Sequence, residues 1–452
     1  MIKIYRISAL FLAIISIILI LFSNKTIPSN LFLVPTMFAI LIVIFPSFTS
    51  YIFKNIGITI INISMLIRYL ISPMLMAIYG LDLNRGRPTM EHTQFLAVNL
   101  MVYEMIIMFI IFALFHKKFY KENLAKRERK ITSNSNIFGW VFIALSLIIL
   151  YLNPTILTRY SFVWLASELK SKDVEGVSVS FFLTIIQLSH LILTVSILNI
   201  IYRFYEKKPH FIFVILSIFV VAISSSFIVG TSRFSIILPL VTGLYTILKL
   251  YKPYRKLLGF LSIALSFIFI AVSTSLKRKT ITGDVGSSTF ENLNTDLQLY
   301  FSGVANVAHS VNTRLIYEPF NVMAILSDLF RSVIYLNSLF GQHVSALMQY
   351  NVSFYGGGPS RDQILPMIGQ GYLYFGFILA PILTALTIII VMYLDKKIMK
   401  SSSLFTIYII TYLCLKFALF NMANATIQIS FFTNFFLILL IIEWLNKTIK
   451  TR

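Results

Sequence analysis

The sequence predicts an all-α polytopic membrane protein with about 12 transmembrane helices. Three observations predict it. The 452-residue chain is 58% hydrophobic and only 12% charged, roughly half the charged share of a soluble domain. Its mean hydropathy is +0.84, and apolar runs long enough to approach the roughly 20 residues of a helical span follow one another along it. Basic residues fall in alternate connections between those runs, as they do when one face of a membrane is cytoplasmic.

The expected spans, in order, are Ile7–Phe22, Leu31–Phe53, Ile56–Tyr79, Thr93–Phe115, Ile137–Leu152, Phe181–Tyr202, Phe211–Ile228, Phe234–Leu248, Leu257–Ser275, Met367–Leu394, Leu404–Phe420 and Ala425–Leu445. They form a single transmembrane domain over residues 1–452. Lys3 and Arg6 precede the first run. No small-x-small cleavage site follows it, so it reads as a retained helix. With the N-terminus inside, most of the 38 lysines and arginines lie in inner connections, and most of the 17 acids lie outside. Both termini are then cytoplasmic. The formal charge of +21 is mainly an insertion signal and an anionic-lipid contact. It does not imply nucleic acid as a partner. The solitary Cys414 excludes an internal disulfide and a cysteine metal cluster.

The connections are unequal. His116 to Lys130 is a basic, solvated inner run. Asn153–Ser180 is a long outer loop. A larger extracytoplasmic loop, Leu276–Pro366, holds most of the outer polar chemistry. Its aromatic content argues for order. Within it, Phe320–Asn337 reads as an amphipathic helix lying in the outer interface. Val322, Ile325, Leu326, Leu329, Phe330 and Val333 recur at helical spacing, with Pro319 at its start. Asn321, Asp328, Arg331 and Tyr335 share the opposite face. Gly356-Gly357-Gly358-Pro359 reads as a flexible hinge before the tenth span.

Arg233, Arg278, Arg314 and Arg361 stand on the outer side, which the charge rule disfavours. Such a cluster asks for an anionic partner, because guanidinium binds phosphate bidentately and stays charged when partly desolvated. Asp284, Glu291, Asp296, Glu318, Asp328 and Asp362 accompany them, and no spacing singles out a general base. His309 and His343 are the histidines of the large loop. The chain has no phosphate-binding glycine loop, no HExxH and no metal-ligand spacing, so neither a metal nor a cofactor is expected. Arg68 falls inside the third span. Burial there costs roughly 2.5–3.5 kcal/mol on insertion scales, and Glu104 in the fourth span is its expected partner. Lys416 is expected to reach toward the outer surface from its span.

The stretch Pro359-Ser360-Arg361-Asp362-Gln363-Ile364-Leu365-Pro366-Met367-Ile368-Gly369-Gln370-Gly371-Tyr372-Leu373-Tyr374-Phe375-Gly376 resembles a segment of Wzy-type O-antigen and capsular polysaccharide repeat-unit polymerases. That segment enters a late span and reads as a polar loop, a proline, then Gly-Glu-x-Tyr-x-x-Phe-Gly. Gln370 stands where the family pattern has its acid. The turn Gly230-Thr231-Ser232-Arg233 before an apolar run is similar to the arginine-bearing outer turn of the same family.

The resemblance implies a GT-C-like bundle in the bacterial inner (plasma) membrane. It implies a glycosyltransferase that joins undecaprenyl-pyrophosphate-linked oligosaccharide units at the outer face. Arg233, Arg278 and Arg361, with Arg314, would hold the pyrophosphate. Asp362, Asp284 or His309 would take the acceptor proton. Membrane lipid and a chain-length regulator protein are the further partners implied. Two other readings stay open: a lipid-linked oligosaccharide flippase, and an O-antigen ligase with the same donor and another acceptor. A structural scaffold would leave the outer arginines without a reason.

Overall fold

A computed structural model describes residues 2–81, 86–120, 131, 136–162, 177–229, 234–259, 289–333, 336–340, 343–357 and 363–448. In chain order the helices are α1 (Ile2–Leu21), α2 (Leu33–Ile44), α3 (Pro46–Ser50), α4 (Ile56–Tyr79), α5 (Glu91–Tyr120), α6 (Ile137–Leu152), α7 (Val177–Lys207), α8 (Phe211–Ser226) and α9 (Phe234–Leu250). They continue as α10 (Thr289–Tyr300), α11 (Val304–Ile316), α12 (Val322–Phe330), α13 (Leu336–Leu339), α14 (Ala346–Tyr355), α15 (Met367–Leu379), α16 (Ile382–Lys400), α17 (Leu404–Ala418) and α18 (Ala425–Thr448). Among the described residues the fold is all-α apart from one short antiparallel ribbon, β1 (Tyr160–Phe162) with β2 (Phe227–Val229).

Among the described residues, five helices are long and apolar enough to cross a membrane: α1, α4, α5, α7 over Phe182–Lys207, and α18. The bent pair α15 and α16 makes a sixth if counted as one span. Shorter apolar helices of 10–17 residues are α2, α6, α8, α17 and Ile236–Leu250 within α9. These lengths are consistent with a multi-pass membrane protein.

Several expected spans are interrupted. The run Leu31–Phe53 breaks between α2 and α3. Pro46 follows Phe45, whose backbone leaves the helical region at φ −111°, ψ 65°, as a residue before proline tends to. The run Met367–Leu394 breaks harder, with a bend of 109° between α15 and α16. Gly376, at φ 74°, ψ −169°, and Pro381 explain it. Leu257–Ser275 lies almost wholly outside the described residues.

The contacts cluster in two compact units. The first comprises Met1–Lys126, Ser287–Lys396 and Lys416–Thr433. Its centre is α11, part of the expected outer loop, which is buried through Val304–Val311 and packs on α5, α14 and α15. The Asp395 carboxylate accepts from the Gly57 and Ile58 amides at 2.9 and 3.1 Å, satisfying free donors at the start of α4. α14 ends at Gly356 and Gly357, at φ 73° and 95°, and both amides point at the Val352 carbonyl. The expected glycine hinge is therefore, over these two residues, a defined helix cap.

The second unit comprises Arg127–Gly286, Lys397–Leu415 and Asn434–Arg452. Here α7 packs on α6 and α8, and α8 on α9. Tyr160 stacks on Phe227 at 4.9 Å across the ribbon. Asn136 at the start of α6 bonds Ser196 at 3.0 Å and receives the Asn446 amide at 2.7 Å. These residues, with Glu443, line a cavity of about 40 Å³, room for about one water molecule. The Glu443 carboxylate accepts from Lys447 at 2.6 Å and from the Thr406 hydroxyl.

Candidate functional site

The large loop forms a polar core in the first unit. α11 carries Asn306, His309, Ser310 and Thr313, all buried. Such a polar face folds inward only because each group finds a partner or a close-fitting wall. Asn306 accepts from the Tyr350 hydroxyl and from the Gln363 amide at 3.0 Å, and its own amide reaches the Leu299 carbonyl at 3.2 Å. Ser310 faces Gly369 of α15. A β-carbon at Gly369 would lie 2.1 Å from the Ser310 hydroxyl oxygen. At Gly371 it would lie 2.0 Å from the Ala380 carbonyl oxygen. The glycines in the Gly-x-Gly stretch are therefore set by close helix approach and by the bend.

Gln370 and Tyr374, one turn apart on α15, share a face. The Gln370 amide donates to the Tyr374 and Thr426 hydroxyls, each at 2.8 Å, and its carbonyl accepts from the Ala425 amide at 2.7 Å. The Tyr374 hydroxyl donates in turn to Asp328 at 2.5 Å, which also accepts from the Ala346 amide at 3.1 Å. Three helices, α12, α14 and α15, thus converge on one carboxylate. Burial raises the Asp328 pKa, and the bonds from Tyr374, Ala346 and Arg331 oppose the rise.

This corrects the expected amphipathic helix. Asn321 is its N-cap, accepting from the Ala324 amide at 2.8 Å, so the helix starts beyond Pro319. It ends at Phe330 instead of Asn337. Asp328, assigned to the solvated face, is only 2% exposed, while Val322 of the apolar stripe is 72% exposed. Ile325 and Val333 of the stripe stay buried and Asn321 and Arg331 stay exposed, so it is Asp328 that departs, drawn inside by partners distant in sequence, Tyr374 above all.

Of the site residues expected from sequence, His309 and Arg314 lie among the described residues. Arg233, Arg278, Arg361, Asp284 and Asp362 lie outside them. His309 and Arg314 share α11 but, five residues apart, occupy different faces. His309 is sealed at 1% exposure against Phe354, with ring centroids 4.4 Å apart. Its Nδ1 has no hydrogen-bond partner among the described residues. Burial pushes its pKa down to about 4, against a backbone bond to Arg87 that favours the charged form. It is a neutral imidazole with a bare acceptor nitrogen. Arg314 is half-buried, and its Nη1 donates to the Leu373 carbonyl of α15 at 2.7 Å.

A second polar centre lies around Arg68. The helix α4 widens into a π-turn at Ile67–Ile71, a distortion common at functional sites. Arg68 Nη1 donates to Glu104 at 2.7 Å, to Asn421 at 2.7 Å and to the Tyr69 hydroxyl at 3.3 Å. Its Nε donates to the Ser302 carbonyl at 3.0 Å. Thr384 of α16 donates to the other Glu104 oxygen at 2.6 Å. The expected Arg68–Glu104 pair is present. Asn421, Ser302 and Thr384 carried no signal in the sequence. Lys416, expected to reach outward, places its ammonium 5.5 Å from the centre of the Phe431 ring.

Among the described residues the fold is all-α apart from one short ribbon and holds five or six helices long and apolar enough to cross a membrane, consistent with a multi-pass membrane protein. Comparisons with protein-family models, curated proteins and solved structures return no match.

Proposed function

We propose that this chain is a Wzy-type polymerase, joining undecaprenyl-pyrophosphate-linked oligosaccharide units into O-antigen or capsular polysaccharide. One observation carries the reading. Arg314 is bonded at 2.7 Å to Leu373, inside the stretch that resembles these polymerases. An arginine of the large loop and the resembling helix thus belong to one surface. In this reading the acceptor hydroxyl attacks the anomeric carbon of the donor. The bond to pyrophosphate breaks, and the leaving group takes the electron pair. Arg233, Arg278, Arg361 and Arg314 stabilise that departing charge. Asp362 or Asp284 takes the hydroxyl proton. His309 has a free acceptor nitrogen but is sealed, so it serves only if α11 and α14 part.

The accompanying architecture is a GT-C-like bundle of about 12 spans in the bacterial inner membrane. Five long apolar helices, the bent pair α15–α16 and five shorter apolar helices support this reading, and the Leu257–Ser275 run is counted from the sequence alone. The termini are cytoplasmic and the Leu276–Pro366 segment faces outward. The carrier-linked oligosaccharide, membrane lipid and a chain-length regulator are its partners.

The break at Gly376 favours one second reading, a lipid-linked oligosaccharide flippase, since transporters use discontinuous helices at their sites. The test is a polymer ladder from cells carrying Arg233→Ala or Arg361→Ala. Loss of polymer at normal protein level supports the polymerase. A wild-type ladder in both variants removes the pyrophosphate role.

A further inference from the structure

We propose that Arg68 and Glu104 are positioning residues for the large loop: from among the apolar helices they hold the turn at Ser302 that aims α11, the helix carrying Arg314. Arg314 is a site residue on the polymerase reading, and the role given to Arg68 rests on that reading to this extent. The contacts themselves all lie within the first unit.

Ser302 stands between α10 and α11 at φ 53°, a left-handed conformation disfavoured for residues other than glycine. Such strain persists only where the surroundings over-determine it. Both side-chain and main-chain oxygens of Ser302 are held. Its carbonyl accepts from Arg68 Nε at 3.0 Å, and its hydroxyl donates to the carbonyl of Asn421, in the turn between α17 and α18. Asn421 Oδ1 accepts from Arg68 Nη1 at 2.7 Å, which closes a ring of three residues. On the far side of the turn, the Gly303 amide donates to the Gln298 carbonyl at 2.7 Å. A β-carbon at Gly303 would lie 2.9 Å from Gln298 Cα, so the turn has no slack to absorb a shift at Ser302.

Stability alone gives no reason for an ion pair here, because apolar groups of similar volume often serve a buried position as well or better. An apolar pair would fill the same space but offer no donor to Ser302 or Asn421. Glu104 fixes Arg68 through Nη1 and also accepts from Thr384 of α16 at 2.6 Å. Arg68 then presents Nε to the turn at the head of α11. Further along, α11 meets α15 where Ser310 faces Gly369 and where Arg314 bonds the Leu373 carbonyl. The pair therefore ties α16 directly, and α15 by way of α11, on the two sides of the 109° bend. Because α11 is one uninterrupted helix of 13 residues, a tilt at Ser302 reaches Arg314.

The test separates position from stability. Hydrogen exchange is followed by mass spectrometry in the full-length protein in lipid nanodiscs, over residues 298–307, beside a thermal melt. Arg68→Met with Glu104→Met is expected to keep most of the melting temperature, to exchange this segment about tenfold faster, and to lose the polymer ladder in cells. Ser302→Gly in the same chain, where a left-handed turn needs no clamp, restores slow exchange and the ladder together. Unchanged exchange in the double variant overturns the proposal, and so does fast exchange with a wild-type ladder. If the double variant does not fold, Ser302→Ala decides. It keeps the ion pair and deletes only the bond to Asn421, and exchange less than about threefold faster than wild type overturns the clamp. Exchange is read on purified protein. A deletion strain with unchanged surface glycan thus removes the polymerase reading and leaves the exchange result standing.

Discussion

Arg68 and Glu104 meet at 2.7 Å with both side chains sealed from solvent. Removing one partner of a buried pair leaves an uncompensated charge and costs about 3–5 kcal/mol, whereas replacing both with apolar groups is far milder. Glu104→Leu is therefore expected to unfold the protein in detergent or to lower its melting temperature sharply. The double variant Arg68→Met with Glu104→Met recovers most of the loss. Fluorescence-detected size exclusion and thermal melts read both. Equal damage in the single and double variants would show that the charge pairing is not what the site requires.

His309 is neutral in the folded protein, with its pKa held near 4 against an ordinary 6.5. A depressed folded pKa contributes stability above the unfolded value, which is lost as pH falls toward the folded one. Thermal stability is expected to fall between about pH 6.5 and 4, by up to about 3 kcal/mol from this group. His309→Gln, which retains a donor for Arg87, flattens that part of the curve. An identical slope in the variant assigns the pH dependence to other groups.

Gly369 and Ser310 form a steric pair. Gly369→Ala forces a methyl against the Ser310 side chain and is expected to cost about 1–3 kcal/mol through overpacking. Ser310→Gly in the same chain removes the obstacle and restores the melting temperature. Failure of that rescue would mean that Gly369 matters for some reason other than room.

Topology is tested by labelling. In a Cys414→Ser background, Glu318→Cys lies at an exposed position of the large loop and Lys207→Cys at the opposite expected face. A membrane-impermeant maleimide should label the first in intact spheroplasts and the second only after lysis. The reverse pattern would place the large loop in the cytosol and end the pyrophosphate proposal.

Much of the fold was legible because hydropathy is a one-dimensional property. The long apolar helices and the Arg68–Glu104 pair follow from run length and from the cost of a lone buried charge. The 109° bend at Gly376 was not legible. The run continues to be apolar through Phe377, Ile378 and Leu379, and only Gly376 with Pro381 hinted at the change of direction. The place of Asp328 was misread for a different reason. Local periodicity assigned it to water, but Tyr374 and the Ala346 amide, reached only through tertiary packing, draw it inside. Arg314 was read from the sequence as a cation of the large loop, and the structure places it half-buried. Its anchoring on Leu373 was not legible, since a backbone carbonyl leaves no mark in composition.

The most direct measurement is the surface glycan of a strain lacking this chain. If the chain polymerises carrier-linked units at the outer face, the deletion strain displays single repeat units in place of a ladder, and the wild-type chain restores the ladder. A deletion strain with no units on its surface, or with its ladder unchanged, contradicts the account.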